Sequence, residues 1–337
     1  MSGAADHAGA RGPVHGGAGA EPEHGRPKLP GAVPARDSYR VLHFSDVHLE
    51  RGFAGVSRWD FLNKRAVGYL NLALHRRARF AEAERKVRTL PEFIAREGVH
   101  LGLCTGDYTA LGTWPELRYA REITGLVAAA TEDFVTVPGN HDVYMPDTLE
   151  DSRFDYLFGD LMPNDLPELA SADGWPKVRL YGEHLAIVTF NSARPNPSIR
   201  FSSGRVPDPQ LDALSALFTH ERLAGRFLLM GTHYAPRLAN GHPDTLRHGL
   251  INADELLERC EVVARGALCH GHQHDLYHVR EPGLRMDLCG AGSATYRGRE
   301  GIWVYDIGRE EAFATPGSWT GERYELDTAR RVKLNAA

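Results

Sequence analysis

Short apolar runs and longer amphipathic stretches alternate along most of this chain, and this alternation constrains the fold more than any other feature. Each apolar run is bounded by glycine, proline or a polar cluster, which is typical of a buried strand. The clearest runs are YRVLHFSD, HLGLCTGD, DFVTVPGN, HLAIVTFNS, RFLLMGTH and GALCHGHQ. The stretches between several of them have the periodicity of helices: LPEFIAREG, WPELRYAREITGLVAAA, DPQLDALSALFTHERL and NADELLERCEVVA. This order predicts an α/β protein whose sheet is covered by helices.

The two ends of the chain differ from this body. Residues 1–38 are rich in glycine, alanine and proline and have almost no large apolar side chains, so we predict a disordered tail. Residues 39–330 contain no internal repeat and no linker, which predicts one domain, followed by a C-terminal tail at 331–337. Within the domain, LYHVREP, LRMDLCG, GIWVYDIG and GERYELD follow one another without helices. They predict an antiparallel meander that completes a second sheet.

Composition excludes several classes of protein. The formal net charge of −5 argues against a surface built over its whole extent to hold a nucleic-acid backbone. Four cysteines without a CxxC pair are too few for a disulfide framework, so we expect reduced and mostly buried thiols. The sequence contains neither an apolar stretch long enough to span a bilayer nor a secretory h-region, which predicts a cytoplasmic protein.

Side chains that can bind metal ions follow five of the predicted strands. In chain order they are Asp46 and His48, Asp107, Asn140 with His141 and Asp142, His233, and His272 with His274. Each motif alone is common in turns, but ligand sites in α/β sheets gather at the carboxyl ends of strands, so the joint set is informative. In DVH and HQH, two side chains separated by one residue can point the same way. We therefore predict that these residues meet in one site.

The number of donors indicates more than one metal ion. Without His141 and Asp142, the set still contains two aspartates, an asparagine and four histidines. That is too many for one tetrahedral site and suits two octahedral-like transition ions that share a bridging carboxylate. Two ions roughly 3.5 to 4 Å apart can clamp a phosphate and activate a bridging water. The predicted chemistry is phosphoester hydrolysis.

The motifs DVH, GD, GNHD, GTH and GHQH, in this order, resemble those of the calcineurin-like metallophosphoesterase superfamily. The resemblance covers nearly all of residues 39 to 330 and implies a four-layer sandwich of two mixed β-sheets flanked by helices. It also implies that one metal ion is held by Asp46, His48, Asp107 and His274. The second ion would then be held by Asp107, Asn140, His233 and His272, with Asp107 as the bridge.

The same resemblance implies a mechanism. A metal-bridging hydroxide would attack in line with the leaving group, and His141 would stabilise the phosphoryl oxygens or protonate the leaving alkoxide. The two ions would be divalent or mixed-valence Mn, Fe or Zn. Many relatives carry a second aspartate in GDxxD that can orient the histidine of GNH, whereas this chain has Ala110 there. Asp142 is a candidate substitute, and the alternative for Asp142 is a turn or capping role.

The substrate is less constrained. The stretch FNSARPNPSIRFSSGRVPDPQLDAL is similar to bacterial class III cyclic-nucleotide phosphodiesterases and favours a phosphodiester substrate. Nucleic-acid ends and lipid-linked diphosphates are alternatives within the superfamily. An alternative of another class is a non-catalytic scaffold that retains the fold, although every expected ligand position is filled.

Basic residues are concentrated in segment 64–88, which has eight of them against two acidic residues. A basic amphipathic helix there could bind nucleic acid or a membrane lipid. The preferred interpretation is a core-facing helix with a charged outer face, from which Asn63, Lys64 and Arg65 could still reach the substrate. In the polar loop after His233, His248 is a further candidate for substrate contact, and His242 is expected to face solvent.

Overall fold

The computed structural model describes residues 33–51, 64–71, 78–196, 198 and 200–335. Residues 1–32 of the predicted tail, and Asn63, lie outside these ranges.

The first of two mixed sheets carries the N-terminal strands. Its members are β1 (Ser38–Phe44), β2 (Leu101–Cys104), β3 (Asp133–Thr136), β10 (Ile302–Gly308), β11 (Ala312–Trp319), β12 (Tyr324–Leu326) and β13 (Val332–Lys333). The order is β12-β11-β10-β1-β2-β3, with β13 beside β11. Because β1, β2 and β3 are parallel, their carboxyl ends lie at one edge of the sheet. Strand β10 runs antiparallel to β1.

The second sheet carries the middle of the chain. Its members are β4 (Lys177–Tyr181), β5 (Leu185–Thr189), β6 (Phe227–Gly231), β7 (Gly266–His270), β8 (Tyr277–Arg280) and β9 (Met286–Gly290). They lie in the order β4-β5-β6-β7-β9-β8. Strands β5, β6, β7 and β9 are parallel, so the loops after β6 and β7 leave the same edge.

Seven α-helices lie in the described part of the chain. They are α1 (Lys64–Asn71), α2 (Ala83–Glu97), α3 (Trp114–Ala129), α4 (Pro146–Glu150), α5 (Arg153–Phe158), α6 (Asp208–Phe218) and α7 (Ala253–Cys260). Of these, α2, α3, α6 and α7 cover the outer faces of the sheets. Leu90 of α2 and Leu117 of α3 pack on the first sheet, and Leu214 of α6 and Leu256 of α7 pack on the second. A third core, which includes Leu229, lies between the sheets. The predicted four-layer sandwich is confirmed.

The predicted C-terminal meander is wrong in part. Strands β8 and β9 pair antiparallel in the second sheet, but β10, β11 and β12 return to the first. Alternate residues of β10 are buried on opposite faces: Trp303 and Tyr305 between the sheets, Ile302 and Val304 under the helices. Such a strand fits the interior of either sheet, so its apolar pattern does not reveal which one it joins.

The basic segment 64–88 does not form one helix. Helix α1 ends at Asn71, residues 72–77 lie outside the described ranges, and α2 begins at Ala83 after a turn. Arg65 is fully buried and forms a bidentate ion pair with Asp147, with both N–O distances at 2.8 Å. Lys86 is also buried and pairs with Glu300 at 2.6 Å. Both of these basic side chains therefore serve packing within the fold.

Two further predictions concern burial and membrane association. All four cysteines are buried and unbridged, as predicted. Of the helices that the structure describes, none combines the length and the apolar character needed to cross a bilayer.

Candidate metal centre

All the predicted ligand residues follow strand ends at one edge of the two sheets, and the structure brings them together. Among Asp46, His48 and His274, the ligand atoms lie within 4.8 Å of one another. The Nε2 atom of His274 is 3.1 Å from Oδ1 of Asp46 and 3.1 Å from Nε2 of His48. These three side chains form the first ligand set.

The second ligand set surrounds the amide of Asn140. Its Oδ1 atom lies 3.0 Å from Nε2 of His233 and 3.0 Å from Nδ1 of His272. Asp107 lies between the two sets, because its Oδ2 atom is 3.8 Å from Nε2 of His48 and 3.6 Å from Nε2 of His233. This position suits the bridging role that the resemblance implies for Asp107.

Main-chain carbonyl groups orient the ligand histidines. The Nδ1 atom of His48 lies 3.1 Å from the oxygen of Thr109, and Nδ1 of His233 lies 2.8 Å from the oxygen of Thr105. A carbonyl only accepts, so the ring proton must lie on Nδ1, and the lone pair of Nε2 faces the site. His272 has the opposite arrangement, since its Nε2 atom is 2.9 Å from the oxygen of His248 and Nδ1 faces Asn140.

His141 is oriented in the same way. Its Nδ1 atom lies 2.5 Å from the main-chain oxygen of Ala110, and its ring contacts His48 edge-on at 5.0 Å between centroids. The methyl group of Ala110 cannot orient the imidazole, but its main-chain carbonyl does. In the neutral ring, Nε2 therefore carries the lone pair.

Asp142 has a turn or capping role, which was the second of its two predicted roles. Its carboxylate accepts hydrogen bonds from the N–H groups of Gly139, Tyr108 and Thr109 at 2.9, 3.0 and 3.1 Å. Burial nevertheless raises the pKa of Asp142 to about 6. The side chain ties the loop after β2 to the loop after β3, and these loops carry Asp107 and Asn140.

The backbone of the site is strained at the ligands themselves. Positive φ angles of 44° to 69° occur at Asp46, His48, Asp107, His272 and His274. Non-glycine residues in this region cost on the order of 1–3 kcal/mol each and persist where the surrounding fold enforces them. The fold therefore stabilises these ligand positions against local preference.

Glycines in the motifs allow the loops to approach the carboxylates. A Cβ atom on Gly271 would lie 2.0 Å from Oγ of Ser45 and 2.4 Å from Oδ2 of Asp46. A Cβ atom on Gly139 would lie 2.1 Å from Oδ1 of Asp107. Both glycines are therefore required by close packing against a ligand.

Comparison with known proteins agrees with this geometry. The family profile of the calcineurin-like phosphoesterases matches residues 39–276. The chain belongs to this family. A dimetal phosphatase from zebrafish (Danio rerio) has a similar structure, with a TM-score of 0.60, 12% identity, and coverage of 88% of this chain and 98% of that one. A purple acid phosphatase from yellow lupin (Lupinus luteus) seeds has a TM-score of 0.55 at 11% identity, and the match covers 88% of this chain and 54% of that one. At these identities the likeness establishes the fold, and no curated protein matches the sequence.

The donors of this centre fit metal ions. Among the described residues, Oδ1 of the fully buried Asp46 has no hydrogen-bond donor. Burial opposes ionisation, but the nearby imidazoles of His274, His233 and His48 together hold the pKa of Asp46 well below its usual value. Burial also lowers the pKa of His233 and of His272, which favours the neutral form that binds metals. A buried carboxylate oxygen that faces imidazole nitrogens is an arrangement that a cation completes.

A cavity of about 290 Å³ opens over the centre. One wall is formed by Arg79, Phe80 and Tyr296, and Ser202 and His248 also line the cavity. His248 thus lies where substrate contact was predicted, with Nδ1 2.5 Å from Oδ2 of Asp244.

Two other predicted contact residues have different surroundings. Lys64 and Arg65 are not among the described residues that line the cavity. The ammonium of Lys64 lies 4.2 Å from the ring centroid of Tyr144, which stacks on His141. Phe80 and Tyr296 were not predicted from the sequence, because no motif marks a cavity wall, and Arg79 was only one basic residue among eight in segment 64–88. Ser202 lies in the stretch whose likeness favours a phosphodiester.

Proposed function

We propose that the chain is a dinuclear-metal-dependent phosphoesterase that hydrolyses phosphodiesters. The observation that carries this proposal is the position of Asp107, whose Oδ2 atom lies within 3.8 Å of a histidine nitrogen from each ligand set. One shared carboxylate and two separate donor sets exceed what a single tetrahedral site uses. Two bound ions would supply a water activated near neutral pH and a positive clamp for the phosphate oxygens.

The chain's own residues prepare the leaving-group side of the reaction. The Nδ1–H group of His141 donates to the carbonyl of Ala110, so Nε2 is the atom through which the ring would act on the leaving oxygen. The main-chain N–H of His141 donates to Oδ1 of Asp107 at 2.8 Å. One residue therefore positions both the carboxylate of Asp107 and an imidazole that, when it is also protonated at Nε2, would donate that proton to the leaving oxygen. General acid catalysis of this kind typically contributes about 10² to 10⁴ in rate.

The preference for diesters rests on the likeness of the segment around Ser202 to class III cyclic-nucleotide phosphodiesterases. Ser202 lines the cavity, which supports a role for this segment in contact with the non-scissile part of the substrate.

The test is hydrolysis of bis(p-nitrophenyl) phosphate and p-nitrophenyl phosphate with added Mn²⁺ and after chelation. Asp107→Ala is expected to lose bound metal and activity together. His141→Ala is expected to keep both ions and lose activity by about 10²-fold or more. Asp212→Ala, on the exposed surface of α6, is the control and should match the wild type.

Three results would contradict parts of this proposal. Absence of metal-dependent turnover of either ester by the metal-loaded wild type would overturn the hydrolase assignment. A clear preference for the monoester would overturn the substrate class. Full activity of His141→Ala would remove His141 from the reaction.

A further inference from the structure

Arg79 brings to the cavity a positive charge that the metal centre does not use. Its guanidinium carbon lies 5.5 Å from the ring centroid of Tyr296, and its carbonyl accepts a hydrogen bond from the N–H of Arg297 at 2.9 Å. Within the described part of the chain, the guanidinium pairs with no carboxylate, unlike that of the buried Arg65. Arg79 is also the only lysine or arginine among the described residues that line the cavity.

An aromatic wall separates this charge from the ligands. Phe80 and Tyr296 line the cavity side by side, with ring centroids 5.2 Å apart. The ring of Phe80 is 4.8 Å from that of His48, and the ring of Tyr296 is 5.5 Å from that of His274. Since Tyr296 contacts both His274 and Arg79, the guanidinium lies about one aromatic ring away from the first ligand set.

The other described residues of the cavity lining include no lysine or arginine. Apart from His141 and the ligand histidines, the basic group among the described lining residues is His248, and its imidazole is paired with Asp244 at 2.5 Å. Ser202 is neutral. An anionic group on the substrate, other than the phosphate held by the metal ions, would therefore be attracted toward the aromatic wall and Arg79.

We propose that Arg79 binds a second phosphate group of the substrate, one that is not hydrolysed, and that Phe80 and Tyr296 contact the carbon skeleton between the two phosphates. The substrate class is an organic phosphoester that carries a further phosphate. This proposal rests on the proposed function, since it assigns the scissile phosphate to the metal centre. The planar guanidinium can donate two parallel hydrogen bonds to two oxygens of a phosphate, and its position over Tyr296 limits the rotamer freedom lost on binding.

Two substrates that differ only in the distal phosphate test this proposal. They are thymidine 5′-(p-nitrophenyl phosphate) and its 3′-phosphorylated counterpart. The wild type should have a higher kcat/KM for the 3′-phosphorylated substrate than for the substrate without the 3′-phosphate. Arg79→Gln should lower kcat/KM for the 3′-phosphorylated substrate by roughly 10- to 100-fold, mainly through KM. The change in kcat/KM for the substrate without the 3′-phosphate should be much smaller. Arg79→Lys should recover part of the loss.

Arg297→Gln provides a matched control, since Arg297 is the exposed neighbour of Arg79 and is not among the described residues that line the cavity. Arg297→Gln removes the same charge, and it should change kcat/KM by the same factor for both substrates, less than about threefold. An equal loss for both substrates in Arg79→Gln would indicate a structural role and overturn the proposal. Equal kcat/KM for the two substrates in the wild type would also overturn it.

Binding separates this proposal from the proposed function. Calorimetry of the metal-loaded protein should show tighter binding of thymidine 3′,5′-bisphosphate than of thymidine 5′-phosphate, and Arg79→Gln should abolish the difference. If neither ester is hydrolysed but this difference is present, the phosphate subsite stands and the hydrolase assignment falls. If both esters are hydrolysed and the difference is absent, the subsite falls alone.

Discussion

Replacement of Asp142 by alanine is expected to destabilise the protein and to loosen the metal centre. Asp142 is fully buried, and its carboxylate accepts from three main-chain N–H groups at 2.9 to 3.1 Å. Alanine would leave those N–H groups buried without an acceptor, and each such group costs roughly 1–3 kcal/mol. Because water can enter part of the space, we expect the free energy of unfolding to fall by about 3–5 kcal/mol.

Urea denaturation with chelator present measures this loss without a contribution from metal binding. Asp142→Asn retains one acceptor oxygen, so its free energy of unfolding is expected to fall less than that of Asp142→Ala. Asp212→Ala is the control: its side chain is 75% exposed and lies 3.7 Å from Arg259. It should change stability by less than about 0.5 kcal/mol. A loss below about 1 kcal/mol in Asp142→Ala, together with normal metal content, would refute the role of Asp142 in joining the two loops.

Three further predictions follow from local geometry. Gly271→Ala places a Cβ atom 2.4 Å from Oδ2 of Asp46 and is expected to reduce metal content, measured by mass spectrometry, and to lower activity about 100-fold. In Gly159→Ala, no atom lies within 4 Å of the added Cβ, so neither metal content nor activity should change. Burial raises the pKa of Glu116 to about 7, so the folded state binds a proton more tightly than the unfolded state. The contribution of Glu116 to stability should therefore fall as pH rises from about 5 to 7, so Glu116→Gln should gain stability relative to the wild type over that range; a difference between the two proteins that does not change with pH would exclude this contribution. Mn²⁺ should raise the unfolding temperature of the wild type but not that of Asp107→Ala.

The fold and the ligands were predictable because both depend on side chains in sequence order. Apolar runs located most strands, and polar residues directly after β1, β2, β3, β6 and β7 located the donors. Parallel strands then bring those donors to one edge without any further information. Strand β11 was missed because Pro316 and Gly317 interrupt its pattern.

Other features of the site were not predictable because they depend on tertiary contacts. Arg65 has the sequence character of a surface residue, yet it is buried against Asp147, which lies 82 positions later in the chain. The positive φ angles at five ligands likewise reflect the constraints of the assembled loops, since neither aspartate nor histidine prefers that region strongly enough to predict it.

The environment of His141 shows why side-chain motifs describe such a centre incompletely. In relatives with GDxxD, a carboxylate can orient this imidazole, and Ala110 at that position suggests that this chain has lost the orienting group. The structure places the carbonyl of Ala110 2.5 Å from Nδ1, so the orientation is retained without the side chain. Carbonyls of Thr105, Thr109 and His248 orient three ligand histidines in the same way. Every residue has a carbonyl, so the loop conformation determines these contacts, and Asp142 and the motif glycines hold that conformation. A substitution that moves these loops should therefore impair the centre while every ligand side chain remains in the sequence.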